Sequence, residues 1–196
     1  PLFRAAFGDE TVTEEGIRDG LSHFIRSIQS FDSRYDEGHA LVRNGGIDFP
    51  NFTEEENLGK ILFGAGLQYG SEGERVGGGF GCGTCHHTPA FSIVQDSGNN
   101  GVTGKQGGGL DFSITRAPSL RNLFLPDGSE NGPFMHNGSF ANLASVLDHY
   151  NEITGENPGM DVRLLPTGRP QLLNMTLEEK EAVIAFLKTL TGKAIF

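Results

Sequence analysis

Apolar residues recur at helical spacing in four stretches of the chain, and nowhere do they alternate with polar residues long enough to read as a strand. In the first stretch Thr13 is placed to cap a helix whose inward face would carry Ile17, Leu21, Phe24, Ile25 and Ile28. The second opens on Thr53 and Glu56, a capping-box pair, runs through Leu58, Ile61 and Leu62, and closes at Gly64. Ser139 heads the third, with Leu143, Val146, Leu147 and Tyr150 on one face. Thr176 and Glu179 form another capping box before Leu177, Val183, Ile184, Leu187 and Leu190, and Gly192 ends that helix. The connections, at 64–81, 97–109 and 155–170, hold most of the Gly, Asn and Pro. This pattern predicts an all-α fold with long Gly-rich loops and no internal repeat.

Composition narrows the class. With 36% hydrophobic and 20% charged residues the sequence reads as globular, and no apolar run approaches the length of a membrane span. The 29 glycines are about double the usual share, in keeping with the long loops. Fifteen Lys and Arg stand against 25 Asp and Glu, so the net charge of −10 argues against nucleic acid and suits a basic protein partner, or a surface kept soluble. The chain begins at Pro1 without an initiator Met or signal peptide, as expected of a processed protein or a fragment.

Both cysteines lie in one stretch, "GFGCGTCHHTPAF", three positions apart and followed at once by a histidine. A structural zinc site needs four ligands, so His86, His87 or a distant His would have to complete Cys82 and Cys85. A redox dithiol needs a βαβ setting that the flanking sequence lacks. Covalent haem attachment needs two thiols spaced for the two vinyl groups and an imidazole directly after them for the iron. Cys82, Cys85 and His86 supply all three groups. Random placement of two cysteines and six histidines would give this arrangement on the order of a few times in ten thousand, so the reading is one covalent haem c. Phe91, which closes the stretch, is counted among the cofactor-binding residues.

The haem's sixth ligand is less determined by the residues alone. Tyr150 falls on the inward face of the third helix, and a buried hydroxyl needs a partner, which could be iron, a propionate, a carbonyl or water. Met135 is the rival, because a thioether is a common ligand of c haems, while Met160 and Met175 read as gap fillers. His87 follows the proximal ligand too closely to reach the opposite face. Arg116 and Arg121 flank Pro118 and are expected to hold haem propionates, with a surface ion pair as the bland alternative for each.

The segments "CGTCHHTPAF", "TRAPSLRN", "GPFMHNGSFANLASVLDHYN" and "MTLEEKEAVIAFLKTLTG" resemble the C-terminal, high-potential haem domain of bacterial dihaem cytochrome c peroxidases and their MauG relatives. The opening, "PLFRAAFGDETVTEEGIRDGLSHFIRSIQSFDSRYDEG", resembles the mid-family passage between the two haem domains. Residues 1–50 are therefore expected to be an interdomain helical segment and 51–196 a c-type haem domain, with an N-terminal haem domain missing. The resemblance implies that His86 is the proximal ligand of a haem that passes electrons to a second, peroxide-reducing haem. It also implies a Met distal ligand in the peroxidases and a Tyr in the MauG branch, and here the corresponding residue is Tyr150, 14 positions after His136 of "PFMHNG". His136 sits in the most family-specific loop, where it would line the interhaem region or serve as a core histidine. Asn131 and Pro133 match positions that hold an interdomain calcium through their carbonyls. The implied setting is the periplasm, with hydrogen peroxide, an electron donor such as a small cytochrome c or cupredoxin, and a homodimer as further partners. The competing class is a monohaem electron carrier without catalysis of its own.

Overall fold

The computed structural model describes residues 1–93, 97–105, 107–113, 116–154 and 157–193; Gly155, expected to open the last loop, lies outside them. Those residues form two compact units, Pro1–Phe31 and Asp32–Phe196. In the first, helix α1 (Leu2–Phe7) packs on α2 (Glu14–Ser27) where Gly16 comes against Phe3, and a Cβ there would lie 2.4 Å from the ring. Thr13 caps α2 as expected, accepting from the Gly16 N–H. The stripe expected to face inward finds no core within this unit: Leu21, Phe24 and Ile25 are 56%, 63% and 65% exposed.

The second unit is built on α3 (Arg34–Val42), α4 (Glu54–Gly64), α5 (Leu143–Asn151) and α6 (Leu177–Lys188). Capping boxes at Thr53–Glu56 and Thr176–Glu179 start α4 and α6. The two helices cross at Gly59, where a Cβ would sit 1.8 Å from the Ala182 carbonyl oxygen, so only glycine permits the approach. Their meeting faces enclose an aromatic core of Phe63, Phe91 and Phe186, joined by Tyr35 and Phe49. Within α4, Leu58 and Ile61 turn outward, and polar Asn57 and Lys60 are buried instead. Asn57 satisfies the backbone N–H and C=O of Phe49 at 2.8 and 3.1 Å, and the Lys60 ammonium donates to the carbonyls of Gly45 and Ile47 at 2.7 and 2.8 Å. Buried polar groups with partners of this kind carry little penalty.

Two expectations are corrected. The fold is not all-α: within the loop at 64–81, β1 (Leu67–Tyr69) and β2 (Arg75–Gly78) form a two-stranded antiparallel sheet, pairing Leu67 with Gly78 and Tyr69 with Arg75 across a bulge. Each strand is too short, and β2 too rich in glycine, for a period-2 pattern to register. The hairpin is held from outside by the Arg75 fork on Glu179, at 3.1 and 2.8 Å, and by the Arg75 N–H donating to the Leu172 carbonyl. The third predicted helix starts later than Ser139. Asn142 caps it, accepting from the Ser145 N–H at 2.8 Å, while Phe140 pairs with Phe134 in an isolated bridge.

Candidate haem-binding site

The cysteine stretch is stitched to the end of α4. Phe80 N–H donates to the Leu62 carbonyl and Gly81 N–H to the Ala65 carbonyl, at 2.6 and 3.1 Å. Gly79 lies so close that a Cβ would meet those same two oxygens at 2.5 and 2.6 Å, which explains a glycine there. Gly81, at φ +66°, then reverses the chain into a 3₁₀ turn at Cys82–Thr84. The N–H groups of Cys85 and His86 both donate to the Cys82 carbonyl, which gathers two thiols and an imidazole into one turn.

His86 is held by its far nitrogen. Nδ1 lies 3.0 Å from the Phe91 carbonyl oxygen and 3.1 Å from that of Pro118. Two acceptors require a proton on Nδ1, so the Nε2 lone pair is left to meet a metal. Burial lowers the imidazole's affinity for a second proton, which keeps the ring neutral and ligand-ready. Phe91 adopts φ +52°, an uncommon conformation that turns its carbonyl toward His86 while its ring is 1% exposed in the core.

The thiols are free and not disulfide-bonded. Burial pushes Cys82 up to about 12 and also raises Cys85, against the lowering effect of Arg163. Among the described residues no group of three or more His, Cys, Asp and Glu side chains converges as a metal site. A cleft of about 620 Å³ opens beside His86, lined by Ile61, Phe63, Gly83, Phe91 and Phe186 among others; Cys82, Cys85, Tyr150 and Met135 do not line it. Paired, half-buried thiols beside an oriented imidazole with a free Nε2 fit a c-type haem.

Tyr150 and Met135 meet at one side chain, Asn100. Its Nδ2 donates to the Tyr150 hydroxyl at 3.2 Å and to the Met135 sulfur at 3.4 Å. Burial pushes the Tyr150 phenol up to about 12, with Asn100 opposing and the thiols of Cys82 and Cys85 and the Asp161 carboxylate adding to the rise. Tyr150 thus lies within electrostatic reach of the cysteine turn. Met135 sits at φ +70°, a conformation that few non-glycine residues adopt.

The remaining candidates are not gathered here. Arg121 is committed elsewhere: its guanidinium forks onto Asp36 at 2.7 and 2.8 Å and donates to the Pro89 carbonyl, with 5% of the side chain exposed. Arg116 is exposed and donates to the Ile93 carbonyl at 3.1 Å. Asn131 and Pro133 are exposed loop residues; the Asn131 N–H and Nδ2 donate to the Leu123 and Asn122 carbonyls. His87 and His136 are exposed. Sequence reasoning missed Asn100, Asp161 and Arg163. Asp161 accepts from the Gly98 N–H and from Arg163, and Arg163 reaches the Thr84 carbonyl inside the cysteine turn at 3.4 Å. An Asx pattern, "NNG" at 99–101, was the one available signal.

No family model matches the chain. It is 28% identical to the methylamine utilization protein MauG of Methylorubrum extorquens, over 98% of this chain and 49% of that protein. It is also 27% identical to MauG of Methylophilus methylotrophus, over all of this chain and 52% of the relative. A cytochrome c551 peroxidase of Nitrosomonas europaea is 26% identical over 97% of this chain and 48% of its own length. The chain therefore spans about half the length of these relatives. Among solved structures, a MauG-like protein associated with microbial copper homeostasis superposes with a TM-score of 0.59 at 27% identity, covering 97% of this chain and 61% of that one. Sequence and fold together make the chain a homologue of the MauG and cytochrome c peroxidase proteins.

Proposed function

We propose that the chain is the C-terminal, electron-transferring haem c domain of a MauG-like or cytochrome c peroxidase-like oxidoreductase. The observation that carries this reading is the His86 imidazole, which follows a free Cys-X-X-Cys pair and whose Nδ1 is bound to two carbonyls. Cys82 and Cys85 would hold the cofactor covalently, and His86 Nε2 and the Tyr150 oxygen would ligate its iron, with Met135 as the rival to Tyr150. When bound, haem supplies a one-electron couple whose potential follows its axial ligands and the burial around them. The chain's own residues fix the imidazole: the Phe91 and Pro118 carbonyls hold its plane and its tautomer, and Phe63, Phe91 and Phe186 supply an apolar wall beside it.

In the whole protein, electrons from a donor such as a small cytochrome c or cupredoxin would pass through this domain to a peroxide-reducing haem outside these residues, in the periplasm. The net charge of −10 suits a basic donor. The test is turnover. The haem-loaded chain should accept one electron from a reduced cytochrome c yet reduce hydrogen peroxide only marginally by itself. Turnover rivalling a two-haem peroxidase would assign the chemistry to this domain and overturn the electron-transfer role.

A further inference from the structure

The Asn99–Val102 turn carries a dense set of hydrogen bonds, and they aim one side-chain nitrogen. Asn99 is fully buried; its Oδ1 accepts from the Gly101 N–H at 2.7 Å and from Asn157, and its Nδ2 donates to the Val102 and Ser113 carbonyls. Asn100 is held at both ends. Its backbone carbonyl accepts from His149 Nε2 at 2.8 Å, on the helix that carries Tyr150. Its side-chain Oδ1 accepts from the Val102 N–H at 3.1 Å. That second bond decides the amide's orientation, since only the oxygen can accept, and the NH₂ group is left facing Tyr150 and Met135. Gly101 lets the turn come this close to α5 and the residue beyond it, because a Cβ there would lie 2.6 Å from the Ile153 side chain and 3.3 Å from the His149 ring.

An amide with two hydrogens and two acceptors at 3.2 and 3.4 Å does not treat them alike. Thioether sulfur is a weak acceptor, whereas a phenol oxygen is an ordinary one. The donor therefore favours the Tyr150 oxygen, the nearer and stronger acceptor, and keeps the Met135 sulfur engaged at its side. We propose that Asn100 is the positioning residue of the distal haem ligand: its Nδ2–H selects the Tyr150 oxygen over the Met135 sulfur and, by withdrawing charge from that oxygen, raises the haem's reduction potential. This inference rests on the haem reading above and on Tyr150 as the ligand. Second-sphere donors of this kind tune a metal through its ligand without touching it.

The experiment compares the haem-loaded chain with Asn100→Asp and Asn100→Ala. Aspartate keeps the acceptor for Val102 and the shape of the turn but removes the donor; alanine removes both. Resonance Raman spectra of the ferric protein in H₂O and D₂O read the phenolate C–O stretch, and spectroelectrochemistry reads the potential. In the unsubstituted chain the stretch should shift on deuteration, because the bonded N–H exchanges. In both variants that isotope shift should vanish, the phenolate-to-iron band should move to longer wavelength, and the potential should fall. If Asn100→Ala fails to take up haem, Asn100→Asp alone decides. A phenolate band that is present in the parent and unmoved in the variants overturns the role of Asn100 only. A parent chain with no phenolate band overturns Tyr150 ligation, and this inference falls with it.

Discussion

The clamp that positions the Asn100 turn rests on one carboxylate, and its stabilisation can be measured. Asp161 Oδ2 accepts from the Gly98 N–H at 2.7 Å and from Arg163 Nη2 at 2.6 Å, while Oδ1 accepts from the Arg163 N–H and Nε at 2.9 and 2.7 Å. The side chain is 5% exposed, so solvent does little to screen these bonds. Chiefly through the Arg163 hydrogen bonds, the carboxyl is held at about 2 instead of the ordinary 3.8. At about 1.4 kcal/mol per tenfold change in acidity, the ionised group stabilises the fold by ~2 kcal/mol. Because the folded value lies below the unfolded one, this contribution is whole well above 3.8 and drains away as the pH falls through 2. Asp161→Asn puts an NH₂ group where two donors already point, and should lose ~2 kcal/mol at neutral pH. Urea unfolding followed by far-UV circular dichroism, in steps from about pH 7 to about pH 2.5, should show the gap between parent and variant closing in acid. A gap below about 0.5 kcal/mol at neutral pH, or one of equal size at every pH, would refute the reasoning.

Other perturbations separate structural from cofactor roles. Gly59→Ala should cost about 3 kcal/mol or more in thermal unfolding, because the new methyl meets the Ala182 carbonyl on α6 and neither helix can retreat without opening the core. Arg121→Ala should cost about 3 kcal/mol, the usual loss when one partner of a buried pair is left alone, while the haem spectrum stays as it was; a spectral change with little loss of stability would restore the propionate role. Tyr150→Phe should change the ferric spin state and lower the ferric preference of the haem, with Met135→Leu nearly silent, and the reverse pattern would make Met135 the ligand.

What was legible in the sequence was local. Thr13, Thr53 and Thr176 cap the helices they head because a cap and its N3 partner lie within one turn. The Cys82–His86 turn was legible for the same reason. Long-range partners were not. Asn142 displaces Ser139 as a cap where Glu130 reaches forward to accept from the Leu143 N–H at 2.7 Å, a bond spanning 13 residues. Helix α3 has no apolar stripe to betray it; the Asp36 of its capping box is braced by Arg121, 85 residues away. The buried face of α4 was misread because Asn57 and Lys60 are made tolerable by backbone groups of the preceding loop, which no periodicity reveals. Asn100 was invisible in a loop read as connection, since its role depends on 50 residues of chain returning Tyr150 to it.

The central claim is the covalent haem on Cys82 and Cys85 beside His86, and intact-mass spectrometry tests it most directly. Produced in cells that mature c-type cytochromes, the chain should gain the mass of one haem, retain it through acid–acetone extraction, and on digestion carry it on the peptide containing Cys82 and Cys85. The double variant Cys82→Ser, Cys85→Ser should run at the bare polypeptide mass. A parent chain that emerges at the bare mass, or that yields its haem to the solvent, would contradict the account.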